Sequence, residues 1–139
     1  MRIVLDSNVI VAAFATRGLC AALFEHCVEN HEIFLCDAML KEITRVLRKR
    51  IKVPRPTVDQ IESYLRSHAS LVRPARIDPG VCRDKRDLPV LGCALSSLSE
   101  FLITGDDDLL TLGSFEGTDI VTPRQFWERV KTRKQGRQR

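Results

Sequence analysis

Three short runs of uninterrupted β-forming residues end abruptly in residues that open helices or turns, and this constrains the fold most. The runs are Ile3-Val4-Leu5 before Asp6-Ser7-Asn8, Ile33-Phe34-Leu35 before Cys36-Asp37, and Phe101-Leu102-Ile103 before Thr104-Gly105-Asp106. A strand with one wet face alternates apolar and polar residues, whereas a strand apolar at every position is covered on both faces. Between the runs the spacing turns helical. Val9 to Phe14, the set Leu19, Leu23 and Cys27, the set Leu40, Ile43, Val46 and Leu47, and the set Val90, Leu91, Ala94, Leu95 and Leu98 each mark an apolar helix face. Ser7 or Asn8 is expected to cap the first helix and Asp37 the third. Pro54 and Pro56 interrupt the chain before a helix opening at Thr57, while Leu88-Pro89 and Thr122-Pro123 suit helix starts. Weaker strands are expected at Leu71-Val72 and Ile120-Val121. Strands alternating with helices predict an α/β fold, a three-layer α/β/α sandwich around a mainly parallel sheet.

The length, 139 residues, suits one domain, and no repeat or linker divides it. The net charge of +4 is unevenly spread. Of 22 basic residues, Lys131, Arg133, Lys134, Arg137 and Arg139 crowd the last nine positions, leaving 17 against 18 acids elsewhere. The expected organisation is a near-neutral domain over residues 1–130 and a flexible basic tail over 131–139. Aromatic residues make up 6%, too few for a base-stacking platform. No apolar stretch approaches the roughly 20 residues that span a bilayer, and no secretory leader is recognisable, so the expectation is a cytoplasmic protein with no membrane partner. The five cysteines, Cys20, Cys27, Cys36, Cys82 and Cys93, are odd in number and show no CxxC spacing. They are expected to be reduced, mostly buried, and neither a disulfide framework nor a zinc site. His26, His31 and His68 are scattered along the chain, and Trp127 is expected to pack in the core.

Ligand crevices in parallel sheets lie outside the carboxyl ends of the strands, and the acids fall there. Asp6 and Asp37 directly follow strands, and Asp106, Asp107 and Asp108 follow another through Gly105. Asp84 and Asp87 precede the helix at Leu88, and Glu42 lies one and a half turns into the helix after Asp37. Each alone has a structural explanation as a cap, a loop acid or a solvated side chain; their joint placement suggests a site. Converging carboxylates repel, so either some hold protons or a cation sits among them. An all-oxygen set without His or Cys favours a hard ion, Mg²⁺ or Mn²⁺, and metal-assisted phosphodiester hydrolysis. Ser7 has no nucleophile-elbow glycines, and no glycine-rich phosphate loop is present.

Four blocks, Ile3 to Val9, Leu40-Lys41-Glu42-Ile43, Cys82 to Asp87 running into Leu91-Gly92-Cys93-Ala94, and Leu102 to Leu110, together resemble a PIN domain. They are most similar to VapC-like toxin components of bacterial and archaeal toxin–antitoxin systems. The resemblance implies a parallel sheet of about five strands sandwiched by helices. It also implies a Mg²⁺- or Mn²⁺-dependent endoribonuclease, a homodimer held inactive by an antitoxin protein. The family's acids map onto Asp6, Glu42, Asp87 and Asp106, with Asp84 and Asp108 as accessory metal ligands and Asn8 and Thr104 orienting ligands or waters. Lys85-Arg86 replaces the Pro-Asp often found there and sets two positive charges beside the site. Arg17, Lys85 and Arg86 are candidate contacts to RNA phosphates. Two rivals have their own signatures. A phosphotransferase of haloacid-dehalogenase type needs a second Asp where Asn8 stands, and one of response-regulator type needs a Lys after a late strand, where Thr122-Pro123 stands. The other rival is a non-catalytic RNA-binding or protein-interaction module on the same fold.

Overall fold

The computed structural model describes residues 1–137. The chain runs β1 (Arg2–Leu5), α1 (Ser7–Ala15), α2 (Leu19–Asn30), β2 (Glu32–Leu35), α3 (Asp37–Lys49), α4 (Arg55–His68) and β3 (Ala69–Leu71). It continues through a 3-10 turn (Lys85–Asp87), α5 (Leu88–Ser97), β4 (Phe101–Ile103), α6 (Asp107–Leu110), β5 (Ser114–Phe115), β6 (Thr118–Val121) and α7 (Pro123–Arg137). The strands form one sheet in the order β3-β2-β1-β4-β6-β5. Every pairing is parallel except β5 with β6. The sheet is therefore mainly parallel and flanked by helices, as the unbroken apolar runs require. Ile3, Val4, Leu5, Leu35, Leu102 and Ile103 are all fully buried within it.

The order of strands decides where a site can form. The chain steps outward from β1 through β2 to β3, then crosses back to lay β4 on the other side of β1. That reversal opens a crevice at the carboxyl ends of β1 and β4. Their register pairs Leu5 with Ile103, so Asp6 and Thr104 emerge side by side. The Asp6 N–H extends the ladder by donating to the Ile103 carbonyl (2.9 Å).

Several local readings shift by a residue or two. Asp6, not Ser7 or Asn8, caps α1, its carboxylate accepting the Ser7 N–H at 2.7 Å. Cys36 stands at the cap of α3, and Asp37 lies in its first turn, paired with Lys41 (3.0 Å). α4 starts at Arg55, because Pro56 fits the first turn where no N–H is needed. Thr122 and Gln125 form a reciprocal capping box on α7, with N–H donations of 3.1 and 2.9 Å. α7 runs to Arg137, across most of the stretch read as a basic tail; residues 138 and 139 lie outside the described residues. The sixth strand, β5, belongs to a tight hairpin whose turn residues Glu116 and Gly117 both have positive φ (49° and 85°). All five cysteines are free, and four are buried. Among the described residues no single helix is long and apolar enough to cross a membrane.

The long loop between β3 and α5 carries Asp84 and Asp87, and it is pinned at Gly92. The Ala75 N–H donates to the Gly92 carbonyl (2.9 Å), and a Cβ on Gly92 would stand 2.3 Å from the Ala75 carbonyl oxygen. A helix can approach a chain this closely only where it has no side chain. Gly92→Ala is expected to cost about 1–3 kcal/mol through backbone displacement. A thermal melt checks this, and an unchanged midpoint would count against the close approach.

Candidate active site

Asp6 is the buried anchor of the crevice, only 5% exposed. Its two oxygens are used separately. Oδ1 accepts the Ser7 N–H, and Oδ2 accepts the Thr104 hydroxyl at 2.7 Å. The Thr104 side chain, fully buried, also accepts the Asp106 N–H (3.0 Å), so one hydroxyl orients two acids. Asp106 in turn caps α6 by accepting the Asp108 N–H (2.8 Å). The Ser7 hydroxyl reaches the Met39 carbonyl (3.5 Å) and ties this corner to α3, which carries Glu42.

The opposite wall comes from the loop before α5. Asp84 begins the 3-10 turn, and Arg86 holds it three ways: backbone N–H and Nε to Oδ1 (2.9 and 3.2 Å), and Nη2 to Oδ2 (3.0 Å). The turn delivers Asp87 inward, 7% exposed, with the Cys82 thiol 3.9 Å from its Oδ2. The result is a cleft of about 220 Å³. Asp6, Asn8, Glu42, Asp84, Asp87 and Asp106 all line it. Asp108 joins from α6: Asp84, Asp87 and Asp108 each offer an oxygen within 4.8 Å of the others. Thr104 stands behind the cleft as a support.

The basic residues divide. Arg86 lines the cleft, whereas Lys85 is exposed on the turn and Arg17 is exposed between α1 and α2, and neither lines it. Arg45 of α3 and Arg50, which caps its end, do line it and were not singled out from sequence. Arg45 was findable in principle, since it lies three residues after Glu42 on one helical face and pairs with it at 3.7 Å. Arg50, at the end of α3, carries no such pattern. Cys82 was read only as a small buried residue. None of the three histidines lines the cleft; His68 stacks on Tyr64, and the rings of His26 and His31 lie 5.2 Å apart, with Trp127 5.6 Å from His26.

Crowding shows in the titration behaviour. Asp87 is pushed up to about 7, first by burial, then by the charges of Asp106, Asp6 and Asp84 and by a hydrogen bond with Asp106. Asp6 is also pushed up by burial, against the opposing hydrogen bonds from Thr104 and Ser7, with Asp106 and Glu42 adding repulsion. Asp84 moves the other way, because hydrogen bonds from the Arg86 side chain and backbone favour its charge.

Residues 2–108, well over half of the chain, match the PIN domain family. The chain belongs to that family. A chain in a crystal structure of VapBC2 from Rickettsia felis, bound to a DNA fragment from its promoter, resembles this PIN domain with a TM-score of 0.60. The two are 14% identical, over 86% of this chain and 97% of that one, so the likeness speaks for the fold. No curated protein matches the chain.

Two outcomes follow for this PIN domain. A carboxyl whose pKa is higher folded than unfolded holds more protons when folded, so its stabilisation is present below the ordinary value of 3.8 and lost as pH rises. For Asp87 the loss extends through about 7, with Asp6 acting in the same sense. Asp84 acts oppositely, but only as pH falls below 3.8. In chelator, the melting midpoint should therefore fall by a few °C between pH 5 and 7. Asp87→Asn should flatten that slope; a wild-type midpoint rising over the same range would contradict it. Thr104→Val removes the hydroxyl that holds Asp6 and Asp106. With the buried Asp6 carboxylate left short of a donor, the melting midpoint should fall by several °C, and an unchanged midpoint would contradict the role of that bond.

Proposed function

We propose that this chain is a divalent-metal-dependent endoribonuclease that cleaves RNA phosphodiester bonds, the toxin of a toxin–antitoxin pair. The observation that carries the reading is the gathering of Asp6, Glu42, Asp87 and Asp106 around one cleft at the β1–β4 switch point. The donor chemistry fits a hard dication. The acids offer oxygens only, and Asp87, its pKa raised first by burial and then by Asp106, Asp6 and Asp84, bears repulsion that a cation would relieve. Asp6, Glu42, Asp87 and Asp106 would hold Mg²⁺ or Mn²⁺, with Asp84 and Asp108 as accessory ligands. When bound, such an ion supplies Lewis-acid stabilisation of charge on the phosphoryl oxygens and a more acidic water.

The chain's own residues do the rest. Thr104 and the Ser7 N–H fix both oxygens of Asp6, so it presents one orientation to a ligand. Without a cation Asp87 keeps its proton up to about 7, so an ion that takes this carboxylate must displace the proton and would bind more tightly as pH rises. Asn8, exposed at the cleft, offers an amide to orient a water or a phosphate oxygen. Arg45, Arg50 and Arg86 set positive charge along the walls, suited to a polyanionic strand. The likeness to a chain of a VapBC2 complex supports an antitoxin as the natural partner, and the proposed state is a homodimer acting in the cytoplasm.

The test is cleavage of a labelled single-stranded RNA. Activity should require Mg²⁺ or Mn²⁺, vanish with chelator and return on readdition. Asp6→Asn should reduce the rate by at least about a hundredfold while the circular dichroism stays native, since Asn still caps α1. Full activity in that variant, or in chelator, would refute the assignment.

A further inference from the structure

The arginines at the cleft are distributed in a way that the nuclease reading alone does not explain. Two of the three are tied to acids of the proposed cation site. Arg86 grips Asp84 through Nε and Nη2, one edge of its guanidinium, and Arg45 leans on Glu42 at 3.7 Å. Arg50 lines the same cleft with no acid partner among the described residues. Both tied arginines are largely solvent-exposed, Arg86 at 80% and Arg45 at 51%. Exposed pairs are weak and are readily exchanged for a better partner. A guanidinium also binds phosphate in the same forked geometry that it uses on a carboxylate.

We propose that Arg86 and Arg45 are substrate-binding residues kept on the site's own acids until a divalent cation displaces them, so that cation loading and nucleic-acid binding are coupled. The inference rests on the nuclease reading and deepens it. Without a cation, each arginine neutralises one carboxylate and leaves the cleft poor at holding phosphate. A cation that takes Asp84 or Glu42 removes that partner, and the freed guanidinium turns to the phosphates of a bound strand. Arg50 has no acid to leave, so its contribution is independent of the cation. It stands eight residues beyond Glu42, about 12 Å along the helix axis at 1.5 Å per residue, far enough to meet a different phosphate from the one at the acids. Linkage makes the effect reciprocal: a bound strand must tighten cation binding by the same factor.

The arrangement also gives Arg86 a cost to the cation, because the ion must displace it. Simple neutralisation of the acids would also leave Arg86 repelling the ion, but there the Mn²⁺-dependent gain in RNA affinity would survive the loss of Arg86.

The test measures binding, not turnover, on the full chain. Mn²⁺ affinity is read by calorimetry without RNA, and affinity for a short fluorescent phosphorothioate RNA is read by anisotropy with and without Mn²⁺. Wild type should bind the strand about tenfold more tightly with Mn²⁺, within the usual range of coupling between sites. Arg86→Ala should bind Mn²⁺ about threefold more tightly without RNA, the size expected for an exposed pair, and should lose most of the Mn²⁺-dependent gain in RNA affinity. Arg50→Ala should weaken RNA binding equally with and without Mn²⁺. If Arg86→Ala leaves Mn²⁺ affinity unchanged and keeps the full gain, the proposal is overturned while the nuclease reading stands. If wild type binds no Mn²⁺, both fall.

Discussion

The hydrogen bond from the Thr104 hydroxyl to Asp6 is the hinge of the whole arrangement. It joins the ends of two neighbouring parallel strands, β1 and β4, at the place where the winding of the sheet reverses. It also sets a carboxylate in a nearly dry position with both oxygens committed to fixed donors. Because the same hydroxyl accepts the Asp106 N–H, the start of α6 is indexed to the start of α1 through one side chain. A buried polar group left without partners costs more than the bond itself contributes, so this corner is held by the penalty of undoing it.

Around that corner the electrostatics are unfavourable by construction. Two like charges about 4 Å apart repel by roughly 4 kcal/mol at the effective dielectric of a protein surface. The chain answers in two ways. Asp87 holds its proton to higher pH, and Asp84 is met by an arginine from its own turn. Neither is a full remedy, since the proton leaves near neutrality and the arginine is mostly in water. Under the proposed function this strain is the cost of keeping the corner for binding rather than for stability.

The sequence carried the elements and the acids well, and for identifiable reasons. Unbroken runs such as Ile3-Val4-Leu5 and Phe101-Leu102-Ile103 have only one comfortable environment, the middle of a covered sheet. Their following acids then had to lie at one edge. What could not be read was the order of the strands, because nothing local states that β4 sits beside β1, and hence that Thr104 faces Asp6. β5 escaped because Ser114-Phe115 is too short to show a period, and its turn is Glu116-Gly117 rather than the commoner Asn-Gly or Asp-Gly. Capping also moved: Asp6 took the place expected of Ser7 or Asn8, since a residue ending a buried strand has its side chain aimed at the first free N–H groups of the helix. Arg50 follows Glu42 along α3 with no pairing pattern to mark it, and Cys82 meets Asp87 only through the fold of the loop they share.

The two jaws of the cleft are built unequally. On one side Asp6 and Asp106 stand on the rim of the sheet, registered by backbone ladders on either hand. On the other, Asp84 and Asp87 hang from an irregular segment fastened to α5 at Gly92 and folded on itself by the Asp78 and Asp84 turns. One wall of the cleft is thus set by strand register and the other by how an irregular segment is fastened. For a cation held as proposed, discrimination by ionic size would rest on the suspended jaw, and changes between Pro74 and Arg83 would retune it without altering a proposed ligand.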